Sequence, residues 1–451
     1  MSPEGGALEG LPPRRLALRV LLDYERRDAY LNVLLSGALD SSDLDRRETA
    51  FTSELVRGTV EMKLALDFAL ARFSSRPLDS LHPPVLWGLR LGACQLLYMN
   101  VPAYAAINTT VELVKHSAGA GPSSFCNGVL RALERGRDGI PWPSKRDDPV
   151  RHIEIVHSHP EWVVKMWARE LSEEKAESIC KADNERRPLS VRVNLQRARR
   201  ADVADSLRAR DIEVTESALS PEGLLLKGTG SVASLDEHRA GLITVQDNGS
   251  MVVGRAVGAL PGMSVLDMCA APGGKANHLC ELMGDKGDVL AVDVNESRLA
   301  LAKETAMRLG NVALRTMVAD ARELSSLTSE KFERVLLDAP CTGLGVLSRR
   351  PDARWRREPG DVKRLSELQA ELLEEAAKML KPGGVLVYST CTISSEENER
   401  NVERFVATQG DLEPLALHGL PGEDAGRLRL YPDTDGCDGM FAAAMRSRKC
   451  A

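Results

Sequence analysis

The second half of this chain alternates short apolar runs with helical segments, and this alternation restricts the possible fold more than any other feature. Five apolar runs follow one another after Gln246: SVLDMCA, VLAVDV, ALRTMVAD, RVLLDAP and VLVYST. The segments ESRLALAKETAMRLG and DVKRLSELQAELLEEAAKML, which lie between them, have helical periodicity. A repeated strand–helix order is typical of a mostly parallel, doubly wound α/β sheet. Ligands bind such a sheet at the carboxyl ends of its strands.

Two further regions precede this alternation. Apolar positions repeat at helical spacing from about Leu11 to Arg135, and prolines fall between the patterns, where they can begin helices. The stretch GRDGIPWPSKRDDP (136–149) lacks periodicity, which indicates a linker. Beyond it, PLSVRVN, DIEVTES and GLLLKG predict short strands. We therefore predict an all-α domain over 11–140, a small mixed α/β region over 150–235 and a Rossmann-like α/β domain over 241–451.

The composition excludes several classes of protein. A chain of 451 residues is too long for one hydrophobic core, and 43% hydrophobic residues are enough for folded domains. The formal net charge of -6 gives no overall basic field, so any RNA affinity must come from local patches. The N-terminus has no signal-like pattern, and no run reaches the roughly 18 apolar residues of a membrane span. We expect a cytoplasmic protein that does not enter membranes.

The cysteines predict neither a metal site nor a disulfide framework. The chain has nine of them, without a CxxC pair and without a histidine at zinc-ligand spacing. Sparse cysteines in a long chain without a signal peptide suit a reducing compartment, where thiols stay available for chemistry.

A cofactor site is predicted where the first strand of the α/β domain ends. The run SVLDMCA leads directly into APGGK (271–275), whose glycines allow the backbone to approach a ligand closely. The second strand ends at Asp293, twenty residues after Gly273, where a carboxylate can accept hydrogen bonds from ribose hydroxyls. Asp320 and Asp338 end the third and fourth strands, and Asp320 can face an adenine amino group. The turn matches neither G-x-G-x-x-G nor G-x-x-x-x-G-K-[ST], which disfavours a dinucleotide dehydrogenase and a P-loop enzyme.

Two cysteines follow separate strands at the same predicted edge. Cys341 lies in DAPCTGLG and Cys391 in YSTCTISSEEN. A thiolate can add to C6 of a cytosine and thereby make C5 nucleophilic enough to take a methyl group. The attacking thiol would need a lowered pKa, which a nearby cation can provide. Asp338 can hydrogen-bond the base at N3, and the second cysteine can assist removal of the C5 proton.

With LDMCAAPGGK, DAPCTGLG and STCTISSEEN together, the chain resembles the NOL1/NOP2/Sun family of RNA 5-cytosine methyltransferases over nearly its whole length. The resemblance implies a class I methyltransferase domain that uses S-adenosylmethionine. It implies Cys391 as the nucleophile and Cys341 as the cysteine of product release, with Asp338 at the base. Threonine follows both cysteines (Thr342 and Thr392) where the family commonly has serine, so a hydroxyl is kept. The cofactor contacts implied are Cys269, Ala270, Ala271, Pro272, Gly273, Gly274, Lys275, Asp293, Asp320 and Asp338.

The helical region resembles the RNA-binding antitermination factor NusB in the segments DRRETAFTSELVRG (45–58), AYAAINTTVELVK (103–115) and FCNGVLRAL (125–133). Such a domain in front of this catalytic domain implies a cytosine of 16S ribosomal RNA as the substrate. We expect no obligate protein partner.

An arginine-rich segment between the two cysteines is a candidate RNA contact. SRRPDARWRR (348–357) contains five arginines and one tryptophan, which can pair with phosphates and stack on a base. The residues proposed are Arg349, Arg350, Arg354 and Trp355, with Arg131 and Arg135 of the helical domain as further candidates.

Other functions stay open at this point. In a DNA cytosine-5 methyltransferase Cys341 would be the nucleophile and Cys391 dispensable. The RNA substrate can also be tRNA or another RNA. A non-catalytic RNA-binding protein of the antitermination type is a third reading, which intact glycines, aspartates and cysteines disfavour. An amino-methyltransferase is disfavoured because Asp-Ala-Pro-Cys stands where that class has an acidic or Asn-Pro-Pro-aromatic motif.

Overall fold

The computed structural model describes residues 10–27 and 29–448, so the N-terminal pattern and Cys450 lie outside the described residues. The chain packs into two units. The first runs to Asn184 and also contains Arg349–Arg356, and the second comprises Glu185–Ser348 and resumes at Arg357. The chain therefore leaves the second unit between the two cysteine motifs and returns to it before Cys391.

The first unit is helical, as predicted for residues 11–140, and it also includes helices up to Asp183 that the prediction placed in the mixed α/β region. Pro12 and Pro13 fall in the first turn of its first helix, where a missing N–H removes no helical bond. Asp45 accepts a hydrogen bond from the Glu48 amide at 2.8 Å, and the Glu48 carboxylate accepts one from the Asp45 amide at 3.2 Å. This capping box fixes where the third helix begins. The helices are α1 (Leu11–Arg26), α2 (Leu31–Asp40), α3 (Arg46–Glu61), α4 (Lys63–Phe73), α5 (Pro83–Leu97), α6 (Ala103–Ala118), α7 (Ala120–Gly136), α8 (Pro149–Val156), α9 (Glu161–Glu170) and α10 (Glu173–Asp183), with 3-10 turns at Leu78–Ser80 and Arg137–Gly139.

The second unit begins with a small antiparallel sheet. Its strands run in the order β2-β3-β1-β4, and apolar side chains of all four strands and of the helix after β1 form one core. This agrees with the predicted mixed α/β region. Its elements are β1 (Leu189–Val193), α11 (Arg200–Arg208), β2 (Glu213–Glu216), β3 (Gly223–Lys227), a 3-10 turn (Val232–Ser234), α12 (Asp236–Arg239) and β4 (Ile243–Val245).

A large mixed sheet forms the rest of the second unit. Its order is β11-β12-β13-β9-β8-β5-β6-β7, with β10 paired to β13. Its elements are α13 (Asn248–Ala256), β5 (Ser264–Asp267), α14 (Gly274–Leu282), β6 (Asp288–Asp293), α15 (Glu296–Leu309), β7 (Leu314–Val318), a 3-10 turn (Ala321–Glu323), α16 (Leu324–Leu327), β8 (Phe332–Asp338), α17 (Ala353–Arg356), α18 (Pro359–Lys378), β9 (Leu380–Thr390), α19 (Glu399–Thr408), β10 (Leu412–Leu415), β11 (Glu423–Asp424), β12 (Arg427–Leu430), α20 (Pro432–Asp435) and β13 (Met440–Ser447). Of these, only α17 packs in the first unit.

The central strands are parallel and buried on both faces. Val265 and Leu336 belong to one apolar cluster, whereas their neighbours Leu266 and Leu337 belong to another. Successive strand residues point to opposite faces, so the two clusters cover the two sides of the sheet. The predicted doubly wound sheet is confirmed.

The topology determines where a ligand can bind. Strand β5 lies between β6 and β8, and all three are parallel, so connections leave β5 toward both halves of the sheet. A crevice forms at the carboxyl ends of strands where the strand order reverses in this way. In the described part of the chain no helix is both long and apolar enough to cross a membrane.

Candidate active site

The predicted cofactor loop connects β5 to α14. Gly273 has φ +95°, a left-handed conformation that favours glycine. A Cβ at this position would lie 2.3 Å from the Cβ of Ala302, so a side chain does not fit. The Ala270 carbonyl accepts a hydrogen bond from the Gly273 amide at 2.6 Å, which closes the turn. The sequence APGGK thus forms a tight turn with its backbone near the sheet edge.

Asp293, at the end of β6, shapes this loop from the neighbouring strand. Its Oδ2 accepts a hydrogen bond from the Ala271 amide at 3.0 Å, and its Oδ1 accepts one from the Asn295 amide at 2.9 Å. Asp320, beyond β7, is held instead by the Arg322 guanidinium at 2.6 Å, which lowers the pKa of this carboxyl. Both carboxylates keep lone pairs that can accept further hydrogen bonds.

Asp267, the last residue of β5, belongs to this group although the sequence analysis did not select it. Its carboxyl is buried, and neither oxygen has a hydrogen-bond partner of good geometry among the described residues. Burial, followed by repulsion from Asp338, raises its pKa to about 7. Its position in LDMCAAPGGK was a usable signal, because it ends its strand as Asp293 does. A buried acceptor without a partner suits a ligand that carries hydrogen-bond donors.

Asp338, Lys275 and Ser389 form a linked group at the ends of β8 and β9. Asp338 Oδ2 lies 2.7 Å from Lys275 Nζ, and its Oδ1 accepts a hydrogen bond from Ser389 Oγ at 2.7 Å. Burial alone would lower the pKa of Lys275, but the charges of Asp338 and Cys391 outweigh it, and the pKa is raised. The ammonium group therefore lies within electrostatic reach of Cys391.

The two cysteines come together as their strand positions predict. The Sγ atoms of Cys341 and Cys391 lie 3.3 Å apart, and each side chain is half-buried. The hydrogen bond with Cys391, together with burial, raises the pKa of Cys341 well above its ordinary value. Cys269, in the cofactor loop, is also a thiol whose pKa burial raises. Burial and the contact between the two sulfurs thus both disfavour the thiolate form of Cys341.

Beneath the cysteines lies Glu397, which the sequence analysis also did not select. Its carboxylate is fully buried, and it accepts hydrogen bonds from the residue that follows Cys341. The only sequence signal was its place in the motif STCTISSEEN, where it is one of two adjacent glutamates before an asparagine.

The arginine-rich segment is where the structure differs most from the prediction. Arg354 is fully buried and donates to the Ser158 carbonyl at 3.1 Å and to Asn184 Oδ1 at 2.9 Å. Trp355 packs against the helical core and donates to the Val60 carbonyl at 2.7 Å. The predicted RNA contact of Arg354 is therefore wrong, because its side chain is buried inside the first unit, whereas contact of the half-buried Trp355 with RNA stays a prediction.

The remaining arginines of this prediction keep some exposure. Arg350 is exposed, whereas Arg349 is half-buried. Arg131 and Arg135 are exposed on α7. Contact of these four residues with RNA stays a prediction.

One group of described residues can offer three ligand atoms to a metal ion. Atoms of His152, His157 and Glu177 lie within 4.8 Å of one another in the first unit. Lys145 already pairs with the Glu177 carboxylate, so its charge is balanced. The group is in a different unit from the cysteines. That the protein holds no metal stays a prediction.

Three family models match successive parts of the chain. The model described as 16S rRNA methyltransferase RsmB/F matches residues 259–446, and the NusB family matches residues 11–135. A ferredoxin-like domain of RsmF/B-like methyltransferases matches residues 159–233. These matches confirm the resemblance that the motifs predicted.

Curated relatives match along the whole chain. The chain is 39% identical to the probable ribosomal RNA small subunit methyltransferase B of Bacillus subtilis, over 96% of this chain and 98% of that one. It is 32% identical to the ribosomal RNA small subunit methyltransferase B of Pseudomonas syringae, over 96% of both chains.

Solved structures show the same fold. The crystal structure of PH0851 superposes with a TM-score of 0.82 at 25% identity and covers 96% of this chain and 98% of that one. A methyltransferase homolog protein from Pyrococcus horikoshii is 31% identical, with a TM-score of 0.59 over 66% of this chain and 99% of that one.

Proposed function

Because this chain belongs to the RsmB/F family of 16S rRNA methyltransferases, we propose that it methylates C5 of a cytosine in 16S ribosomal RNA. The methyl donor proposed is S-adenosylmethionine. The observation that carries the proposal is the pair of sulfur atoms 3.3 Å apart at the carboxyl ends of neighbouring parallel strands. Two thiols at one point suit a reaction that must both form and release a cysteine adduct.

The charges around the pair support Cys391 as the nucleophile. The interaction that raises the pKa of Lys275 is mutual, so the ammonium group favours the thiolate form of Cys391. The pKa of Cys341 is raised, so this thiol stays protonated and can donate to the Cys391 sulfur. The thiolate of Cys391 adds to C6 of the base, and C5 becomes nucleophilic. The alternative with Cys341 as the attacking group would require a thiol whose pKa is raised by burial and by its contact with Cys391.

Asp338 is the proposed contact to the base. Addition at C6 moves electron density toward N3, which becomes more basic. N3 takes up a proton from solvent as its basicity rises, and the resulting N3–H donates a hydrogen bond to the Asp338 carboxylate, which Lys275 at 2.7 Å keeps in place. Ser389 restricts its second oxygen in the same way.

Product release is the proposed role of Cys341. After methyl transfer, a water molecule takes the C5 proton, the C–H electron pair forms the C5–C6 double bond, the C6–S bond breaks with its electrons on sulfur, and N3 returns its proton to solvent. The departing sulfur of Cys391 needs stabilisation as it becomes a thiolate. A thiol 3.3 Å away can donate a hydrogen bond to it, and Cys341 is that thiol.

S-adenosylmethionine supplies an electrophilic methyl group when it is bound. The buried carboxyl of Asp267, which has free acceptor capacity, and the tight turn at Gly273 suit a ligand with amine and hydroxyl donors. The residues proposed to hold it are Cys269, Ala270, Ala271, Pro272, Gly273, Gly274, Lys275, Asp293, Asp320 and Asp338, to which we add Asp267.

The domain ranges 11–140, 150–235 and 241–451 are proposed as the RNA-binding, middle and catalytic parts. Arg350 is proposed to contact RNA, since it is exposed on the segment between the cysteines. A ribosomal RNA substrate supports a cytoplasmic location.

The experiment that tests this function traps the covalent intermediate. Cys341→Ala and Cys391→Ala proteins are incubated with S-adenosylmethionine and either 16S ribosomal RNA or tRNA, and adducts are resolved on a denaturing gel. We expect an adduct with Cys341→Ala and 16S RNA, none with Cys391→Ala, and none with the double mutant. An adduct formed by Cys391→Ala would make Cys341 the nucleophile and Cys391 the cysteine of product release. An adduct with tRNA alone would identify tRNA, and not 16S ribosomal RNA, as the substrate.

A further inference from the structure

Glu397 and Asn398 are adjacent in the chain. Glu397 binds mainly the loop of Cys341, with one further hydrogen bond to Thr392, and Asn398 binds the loop of Cys391. We propose that Glu397 is a positioning residue for product release, because it holds the Cys341 loop, while Asn398 holds the Cys391 loop. The inference rests on the proposed function, since it assigns each loop to one half of that reaction.

Glu397 binds the residue that directly follows Cys341. One carboxylate oxygen accepts hydrogen bonds from the Thr342 amide at 2.8 Å and from Gln369 Nε2 at 3.1 Å. The other oxygen accepts one from Thr342 Oγ1 at 2.6 Å. Both donors of Thr342 are thus satisfied by a single buried carboxyl group. If that group is removed, a buried amide and hydroxyl lose their acceptor, and the loop has to shift to find another.

Asn398 binds on both sides of Cys391. Its Nδ2 donates to the Thr392 carbonyl at 3.0 Å, and its Oδ1 accepts from Thr390 Oγ1 at 2.5 Å. Thr390 is also the last residue of β9, which pairs with β13 at this point. Asn398 and the pairing of β9 therefore hold Cys391 in addition to the hydrogen bond between the Glu397 carboxylate and the Thr392 side chain.

A hydroxyl contact joins the two loops. Thr342 Oγ1 and Thr392 Oγ1 lie 2.7 Å apart, and the first of them also donates to Glu397. Arg357 adds a bond from its Nε to the Thr342 carbonyl at 2.9 Å, which leaves the amide side of Thr342 to Glu397 alone. The carboxylate thus determines how the Cys341 thiol is presented to the Cys391 sulfur.

The predicted defect is specific to one step. In Glu397→Ala, Cys391 stays in place and can attack C6, but Cys341 no longer lies beside the departing sulfur. Methylated RNA should then remain attached to the protein, as in Cys341→Ala. In Asn398→Ala the nucleophile itself is displaced, so little adduct should form.

Glu397→Gln is the conservative variant. The amide oxygen can still accept from the Thr342 amide, and the amide nitrogen can donate to Thr342 Oγ1, whose hydroxyl then turns toward Thr392. Burial, partly offset by the hydrogen bonds to Thr342, raises the pKa of Glu397. We expect Glu397→Gln to release product like the wild type.

The experiment compares these variants with the wild type and Cys341→Ala, using S-adenosylmethionine labelled in its methyl group and 16S ribosomal RNA. The label in the denaturant-resistant adduct and the label in free RNA are measured over time. We expect Glu397→Ala to hold roughly tenfold more adduct than the wild type, the size expected from lost buried hydrogen bonds, with Glu397→Gln close to the wild type. Thr342→Val, which removes only the hydroxyl donor, should accumulate adduct to a smaller extent. This variant replaces Glu397→Ala in the test if Glu397→Ala does not fold.

The results of this experiment distinguish a failure of the positioning role of Glu397 from a failure of the proposed two-cysteine reaction. If Cys341→Ala forms no adduct, the two-cysteine chemistry itself fails. If Cys341→Ala forms an adduct but Glu397→Ala and Thr342→Val accumulate none, the positioning role of Glu397 is overturned. Accumulation in Glu397→Gln equal to that in Glu397→Ala would overturn the hydrogen-bonding explanation.

Discussion

At the scale of single residues, Lys275 connects the cofactor loop with the base and the nucleophile. Its sequence position suggested only a cofactor contact. In the structure its ammonium group pairs with Asp338 and acts on Cys391, so one charge orients a carboxylate and favours a thiolate. A neutral side chain of similar length would keep the packing of the Lys275 stem and remove both effects.

Lys275→Met should therefore make Cys391 less reactive at neutral pH. Loss of a nearby cation raises the thiol pKa by about one unit or more, which lowers the thiolate fraction about tenfold below that pKa. The check is the rate of Cys391 alkylation by iodoacetamide from pH 6 to pH 9, followed by peptide mass spectrometry. The midpoint of the profile should move to higher pH. Lys303→Met, an exposed lysine, is the matched control, and an unmoved midpoint in Lys275→Met would remove Lys275 from the activation of the thiol.

At the scale of elements, the sequence predicted what depends on local pattern and missed what depends on distant contacts. Strands β5 to β9 could be predicted from the sequence because parallel strands buried on both faces are continuous apolar runs. Strand β13, MFAAAMRS, was not predicted, since alanine has a weak preference for strands. The cysteine motifs predicted both thiols. Glu397 was hidden because its burial comes from Thr342 and Gln369, which are far from it in the chain.

The short helix α17 shows the opposite error, because its sequence pattern predicted exposed side chains and distant contacts bury one of them. Five arginines in ten residues look like a solvated, RNA-facing strip, yet Arg354 is desolvated by partners contributed by distant segments. Arg354→Ala should lower the stability of the first unit by about 3 kcal/mol, since it leaves Asn184 and a carbonyl without their buried cationic donor. Urea unfolding followed by the far-ultraviolet signal measures this change. Arg350→Ala, on the exposed part of the segment, should leave the stability unchanged and weaken RNA binding; equal stability of the two variants would contradict the burial of Arg354.

At the scale of the whole molecule, the first unit is discontinuous in the chain. Most of it is complete at Asn184, but Arg349–Arg356 belongs to it as well. That segment supplies Trp355 to the helical core and Arg354 to a buried polar group. The catalytic half therefore contributes a part of the helical unit.

A fragment that ends at Asn184 should accordingly be less stable than the same fragment extended by a Gly-Ser linker and residues 349–356. The extension restores the Trp355 packing and the buried hydrogen bonds of Arg354, so we expect the extended fragment to melt several degrees higher, by about 2–4 °C per kcal/mol. Thermal unfolding measures the difference. The extended fragment with Arg354→Ala should lose most of the gain, and equal melting of the two starting fragments would show that the segment adds nothing.

This discontinuity has a consequence for synthesis on the ribosome. Domains generally fold from the N-terminus as they emerge, but here the helical unit lacks one of its parts until the cofactor loop, strands β5 to β8 and Cys341 have been made. The helices made first lack the contacts of Arg354 and Trp355 until that segment follows. The last step in building the helical unit is thus taken while the catalytic sheet is still acquiring its final strands, and the two halves of the protein mature together rather than in turn.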